Sequence, residues 1–289
     1  MGKMRKILLS MICLSLITGL SASSVFANES TIYEETGQIE LENLNFYICN
    51  SQLEISTKTR NASREDQEAV RMINENKVLK DLIVGMINEE SVPIAVGYTT
   101  IYLKNEMQDD GTIAQVPMTK GDLKQSKAAG NDSYSPTKAF SLFTSAAIVN
   151  GAIVATSVGT YEPTGWTTQD ELPQVGCYDY IGLAMPTQYT LASHGLSNSN
   201  IRSYTEDNTN NSVMMGVLLR PTPSVAPIKS IKLSGRGLKD ANITNKKVIS
   251  HYVHNWGSAK ISVSLTPSGA GFSLSTVNKN WKVSSYVVI

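Results

Sequence analysis

Charge is scarce in this chain. Asp, Glu, Lys and Arg make up 17% of its 289 residues, and 25 basic side chains cancel 25 acidic ones. Globular proteins average about 25% charged residues. A balanced, weakly charged chain lacks the concentrated basic surface of an electrostatic nucleic-acid binder, so nucleic acid is excluded as a partner. Histidine and cysteine are also rare, at three each. There is no His-Glu-x-x-His, no Gly-x-Ser-x-Gly elbow and no phosphate-binding glycine loop. Gly235-Arg236-Gly237 has neither the lysine nor the strand-to-helix setting of such a loop. These absences imply no cofactor and no metal. What fills the composition is Ser, Thr and Asn. With hydrophobic residues at 41% and 20 glycines besides, the chain still reaches the usual apolar share of about 45–50%. That is enough for one large domain or two modest ones.

The N-terminus reads as an export signal. Lys3-Met4-Arg5-Lys6 precedes an uncharged apolar run from Ile7 to about Leu20, and Val25-Phe26-Ala27 ends the segment with small residues at the −3 and −1 positions. The run is shorter than the ~20 residues a membrane span needs, so residues 1–27 are expected to be removed and no stable span to remain. The mature chain would carry about −3 and a secreted, extracellular address. Of the cysteines, Cys49 and Cys177 survive cleavage. An oxidising compartment allows one bridge between them or two free thiols, and neither sits in a catalytic motif.

Elements can be placed by period and turn chemistry. Ser63 offers a cap oxygen, Glu65, Asp66 and Glu68 place negative charge in a first turn, and apolar residues recur from Ala69 to Ile87. One long amphipathic helix over 64–90 is expected, ended by Pro93. Residues 104–138 and 192–212 are polar and turn-rich and read as exposed loops, the first also as a candidate boundary near residue 130. This would divide the mature chain into 28–130 and 131–289, with a single domain over both as the alternative. Residues 139–161 carry no charge and contain Asn150-Gly151, the strongest short-range signal for a hairpin with a type I′ turn. Folding there pairs Val149 with Ala152, Ile148 with Ile153, Phe143 with Val158 and Phe140 with Tyr161. Both faces come out partly apolar, which predicts a central hairpin covered on both sides. Further strands are expected around Tyr178–Leu183 and Val213–Leu219, and Pro221, Pro223 and Pro227 mark a rigid extended crossing. A closing meander runs through 248–256, 260–265, 272–277 and 281–289. The fold class expected is mainly β (α+β), an antiparallel β-sandwich with one long N-terminal helix.

Few side chains suggest chemistry. His251 and His254, three apart on a predicted strand, point to opposite faces and cannot share a metal ion. His194 in a predicted loop lacks a nucleophile motif. Asp170, Glu171 and Asp179 lie near Trp166, Tyr178 and Tyr180, and acids beside aromatic faces suit a sugar site, so paired carboxylates for glycan hydrolysis are the enzymatic alternative. Leu172-Pro173-Gln174-Val175-Gly176 approximates a sortase signal but has Val where Thr is required and no apolar tail behind it. The segments His251-Tyr252-Val253-His254-Asn255-Trp256 and Asn280-Trp281-Lys282-Val283-Ser284-Ser285-Tyr286 resemble small exported proteins of Gram-positive bacteria, clearly from Ser250 onward and faintly from residue 94. That resemblance implies secretion and β-structure and brings no catalytic residues. The expected function is a secreted, non-enzymatic protein of the cell surface or surroundings, binding a protein or glycan through its polar loops. A β-pore toxin inserting hairpin 139–161 is the remaining alternative.

Overall fold

In this computed structural model the described residues are 31–49, 52–129, 138–150, 152–162, 178–184, 189–197, 212–218, 230–239, 247–256, 262–265, 272–275 and 280–288. The chain divides into two units, residues 1–33 with 118–135 and residues 34–117 with 136–289. In the first, Ile32 and Thr119 form an antiparallel bridge and a helix runs over Lys120–Ala129. Thr119 caps that helix. Its Oγ1 accepts from the Asp122 N–H, while Asp122 Oδ2 accepts from the Thr119 N–H at 2.7 Å.

The second unit is built outward from the charge-free hairpin. Asn150 takes a φ of 47°, the left-handed region that Asn tolerates. It turns β6 (Lys138–Val149) back into β7 (Ala152–Glu162), with Val149 opposite Ala152, Phe143 opposite Val158 and Phe140 opposite Tyr161. The register read from the sequence is the one observed. Pairing continues on both sides. β1 (Glu34–Glu40), β4 (Val92–Met107), β6, β7, β11 (Ser230–Lys239) and β9 (Tyr189–Ser197) form one antiparallel sheet in that order, with β5 (Ile113–Pro117) added to β4 as its seventh strand. β4 precedes residue 130 and β6 follows it, so this sheet draws on both sides of the expected boundary. A second antiparallel sheet has the order β10 (Ser212–Leu218), β8 (Tyr178–Ala184), β12 (Lys247–Asn255), β15 (Asn280–Val288). Two separate hairpins complete the strands: β2 (Leu44–Cys49) with β3 (Gln52–Thr57), and β13 (Ser262–Leu265) with β14 (Phe272–Ser275).

Alternation along β6 and β7 sends one set of side chains to each face of the large sheet. Phe140, Leu142, Ala146, Ile153, Ala155 and Tyr161 share a core with Ile181, Leu183, Val248, Tyr252, Trp281, Val283 and Val287 of the small sheet. Phe143, Ala147 and Val158 face the other way, onto helices α1 (Arg64–Glu75) and α2 (Lys77–Asn88), whose Ile73, Leu79, Leu82, Ile83 and Met86 are buried. At the margin of the small sheet, β15 has no further strand among the described residues, and side chains of the large sheet close it. The Gln38 amide accepts from the Val288 N–H at 2.9 Å and donates to its carbonyl at 3.1 Å, while Thr99 Oγ1 donates to Ser284 O at 2.8 Å. An open edge is a template for aggregation, and these contacts occupy it. The approach needs Gly97: a Cβ there would lie 1.8 Å from the Tyr286 carbonyl oxygen.

Several expectations require correction. The single helix over 64–90 is two helices, because Asn76 at φ −109°, ψ 109° ends α1 and caps α2. The stretch 104–138 holds the end of β4, all of β5 and the helix over Lys120–Ala129, leaving the turn around Asp109–Gly111 as its described loop. Residues 192–197 belong to β9 rather than to a loop. The closing strands are not a simple meander, since β12 pairs with β15 and β13 with β14. Cys49, for which the sequence left a bridge or a free thiol open, is an exposed free thiol. Outside the described residues lie residues 1–27, expected to be an export signal, and Trp166, Asp170, Glu171, residues 172–176, Cys177, the segment 198–211 and Pro221, Pro223 and Pro227.

Candidate functional site

Of the three acids singled out in the sequence, Asp179 is the one described, and it faces inward. It shares its side of β8 with Ile181 and Leu183, and 1% of it is exposed. β8 and β12 are paired antiparallel, with Tyr252 opposite Ile181, so the inward residues Tyr252 and His254 of β12 come up beside it. The Tyr252 hydroxyl donates to Asp179 Oδ2. His254 Nδ1 lies 2.9 Å from Oδ1, and the Asn255 N–H donates to Oδ1 at 3.1 Å. A carboxylate only accepts, so with Asp179 ionised Nδ1 carries a proton. Tyr161 extends the chain, its hydroxyl 3.5 Å from that of Tyr252. Burial, and then the adjoining Asp179, push the Tyr252 phenol well above its ordinary range, so it acts as a permanent donor.

Aromatic rings wall in this network. Phe140 stacks on Tyr252 with centroids 4.3 Å apart and meets Tyr161 edge-on at 4.8 Å. Trp281 lies 5.1 Å from the His254 ring and donates through Nε1 to Gln115 O at 3.0 Å. The sequence drew attention to Asp179 and to Trp166, Tyr178 and Tyr180 near it in the chain, whereas the rings around Asp179 in the fold are Tyr252, His254 and Trp281. Tyr180 lies on the opposite side of β8, and of Tyr178 and His194 only the strand positions are described. The partner His254 lies 75 residues away and shares no local motif with Asp179; the two meet only through strand pairing. His251, on the other face of β12, contacts Ser284 Oγ through Nδ1 at 2.6 Å, so the two histidines have separate partners. Among the described residues no group of three His, Cys, Asp or Glu could hold a metal ion, and no helix is long and apolar enough to cross a membrane.

The network is buried between the two sheets. A general acid must reach the oxygen it protonates, and an acid 1% exposed between two sheets does not reach a polysaccharide. An accessible groove lies elsewhere among the described residues. With a volume of about 500 Å³, it runs between β1 and α1, floored by Ile39, Ala69 and Met72 and rimmed by Glu40, Glu65, Asp66 and Glu68. Ser63 and Asp66 form the capping box that starts α1 there, and Arg71 ties back Glu68. That volume falls within the range of small-ligand and side-chain pockets. No protein-family profile matches the chain, and no curated protein sequence does.

Proposed function

We propose that this is an exported, non-enzymatic binding protein. The two facing sheets act as a rigid antiparallel sandwich, and the surface around the β1–α1 groove engages a partner. The observation that carries this reading is the disposition of the acids. Asp179, the best described candidate for catalysis, is consumed in a buried structural network, whereas Glu40, Glu65, Asp66 and Glu68 stand around an accessible apolar floor. Carboxylates around an apolar floor complement a protein segment that carries Lys or Arg beside an apolar anchor, and charge of that kind sets specificity and encounter rate. A protein partner therefore fits better than a neutral glycan. The pore-forming alternative is disfavoured because the 139–161 hairpin is paired on both edges and packed on both faces. To leave, it would have to break the whole sheet.

The test is twofold. Mass spectrometry of the medium should find a mature chain beginning at Asn28; a chain kept inside the cell with residues 1–27 intact would remove the assigned location. The secreted protein should bind a basic, amphipathic peptide and lose it on Glu40→Lys with Glu65→Lys, while cleaving no glycan. Glycan hydrolysis abolished by Asp179→Asn would overturn the reading in favour of an enzyme.

A further inference from the structure

The space between the sheets holds a second polar feature, distinct from the Asp179 network. Thr144 and Ser157 are direct cross-strand partners in β6–β7, and Ser250 and Ser285 are direct cross-strand partners in β12–β15. Alternation places all four on the faces that look at one another. Thr144 shares its side with Leu142 and Ala146, Ser157 with Ala155, Ser250 with Val248 and Tyr252, and Ser285 with Val283 and Val287, all members of the core shared by the two sheets. Thr144, Ser157 and Ser250 are 0% exposed and Ser285 is 1% exposed. None of the four hydroxyls has a hydrogen-bond partner among the described residues. Gly97 brings the two pairs together. It is the neighbour of Thr144 on β4, and the position of its absent Cβ lies 3.4 Å from Ser285 Oγ.

An orphaned hydroxyl in a core is costly, and natural interiors keep few of them. Four, arranged as one pair from each sheet, are not explained by packing, because Ala or Val would fill the same positions without the penalty. Each hydroxyl can donate one hydrogen bond and accept two, and a buried water makes about three. The side chains at this level are small, whereas the levels beside it carry the Phe140–Tyr252 stack on one side and Val248 with Val287 on the other. The geometry points to an internal hydration site: the hydroxyls of Thr144, Ser157, Ser250 and Ser285 hold ordered water between the two sheets, and the ligand of this site is water itself. The water supplies a second polar bridge between the sheets, beside the Asp179 network, and exchanges only when the sheets part. The inference stands apart from the binding function proposed above.

High-resolution crystallography of the secreted protein tests it directly. The expected result is density within hydrogen-bonding distance of at least one hydroxyl from each sheet. A dry interface, with each hydroxyl turned onto a carbonyl of its own strand, would overturn the proposal. Stability gives an independent reading. Thr144→Val keeps the shape and removes only the hydroxyl, so it should lower the folded-to-unfolded ratio about fivefold or more, as expected for a lost buried hydrogen bond. In a Ser250→Ala background the same change should cost less, because one water connects both. A Thr144→Val protein as stable as the parent, or strict additivity with Ser250→Ala, would count decisively against a shared water.

Discussion

The two faces of the seven-stranded sheet are packed in different ways. Toward α1 and α2 the helical stripe of Ile73, Leu79, Leu82, Ile83 and Met86 is set against Val96, Phe143 and Val158, and the hydroxyls of Ser141, Ser145, Thr156 and Thr160 are buried on that side of the sheet too. Toward the four-stranded sheet the same strands meet rings, a buried carboxylate, a histidine and a layer of hydroxyls. The helices satisfy their own backbone groups and need only an apolar stripe to dock. The small sheet has a further problem, since a slip of one residue between its strands would exchange inner and outer faces. Asp179 on β8 meets two successive inward side chains of β12, Tyr252 and His254, and the backbone N–H of Asn255, and so marks one register among those possible. The comparison therefore separates a face that is stuck together from a face that is aligned.

The largest effect should come from removing the alignment mark. Asp179→Ala leaves Tyr252, His254 and the Asn255 N–H buried without their acceptor and should cost about 4 kcal/mol, because several buried donors lose their partner at once. Urea unfolding with tryptophan fluorescence would read it, since Trp281 lies beside the network. A loss as small as that of a surface acid would mean that the network aligns nothing. On the helical face, Ile83→Ala should cost about 3 kcal/mol by leaving a cavity. The loss should come with an unchanged urea dependence, because no pairing is at stake. If Ile83→Ala instead loosened the native state as Asp179→Ala is expected to, the two faces would not differ in kind.

Acid offers a test on the outer side of the small sheet. Burial, and then the nearby Lys282, lower the His251 pKa from 6.5 to about 4. In the unfolded chain the ring takes up a proton near pH 6.5, while in the folded protein it resists until about pH 4. The neutral form favours folding, so its contribution is fully present above pH 6.5 and declines as the pH falls through that window. The loss is on the order of 3 kcal/mol by pH 4. His251→Gln should flatten this part of the stability profile. An unchanged slope would show that other groups carry the acid sensitivity.

How much of this was legible in the chain follows from the range of each signal. The central hairpin was legible down to its register, because Asn150-Gly151 and the charge-free arms are a local code. The Asp122 partner of Thr119 follows a Thr-x-x-Asp capping pattern that the polar look of 104–138 concealed. Asp179 was visible as an acid beside aromatics, but not its setting, since His254 and Trp281 reach it through pairings that span 75 residues or more. Nor did any pattern in the sequence announce Gln38 closing the edge at Val288, 250 residues away.

The helix break was readable and is the finest test of the helical face. Buried positions run Ala69, Ile73, then Leu79, Leu82, Ile83, Met86, with a gap of six where an unbroken helix would repeat at three or four. At about 100° per residue, Leu82 would stand about 180° around a continuous helix from Ile73, facing away from the sheet. Asn76 resolves the mismatch by stopping one helix and starting another: its N–H donates to Met72 O at 3.0 Å, and its Oδ1 accepts from the Leu79 N–H at 3.1 Å. Asn76→Ala removes that cap and favours fusion of the two helices. Were the break incidental, the better helix former would stabilise the protein. Because fusion would pull Leu82 and Ile83 out of register with Phe143 and Val158, the substitution should instead destabilise it by about 1 kcal/mol. Asn76→Gly, which keeps the break, should cost only a few tenths. Thermal unfolding of the two variants side by side would separate a cap that merely ends a helix from one that re-aims it.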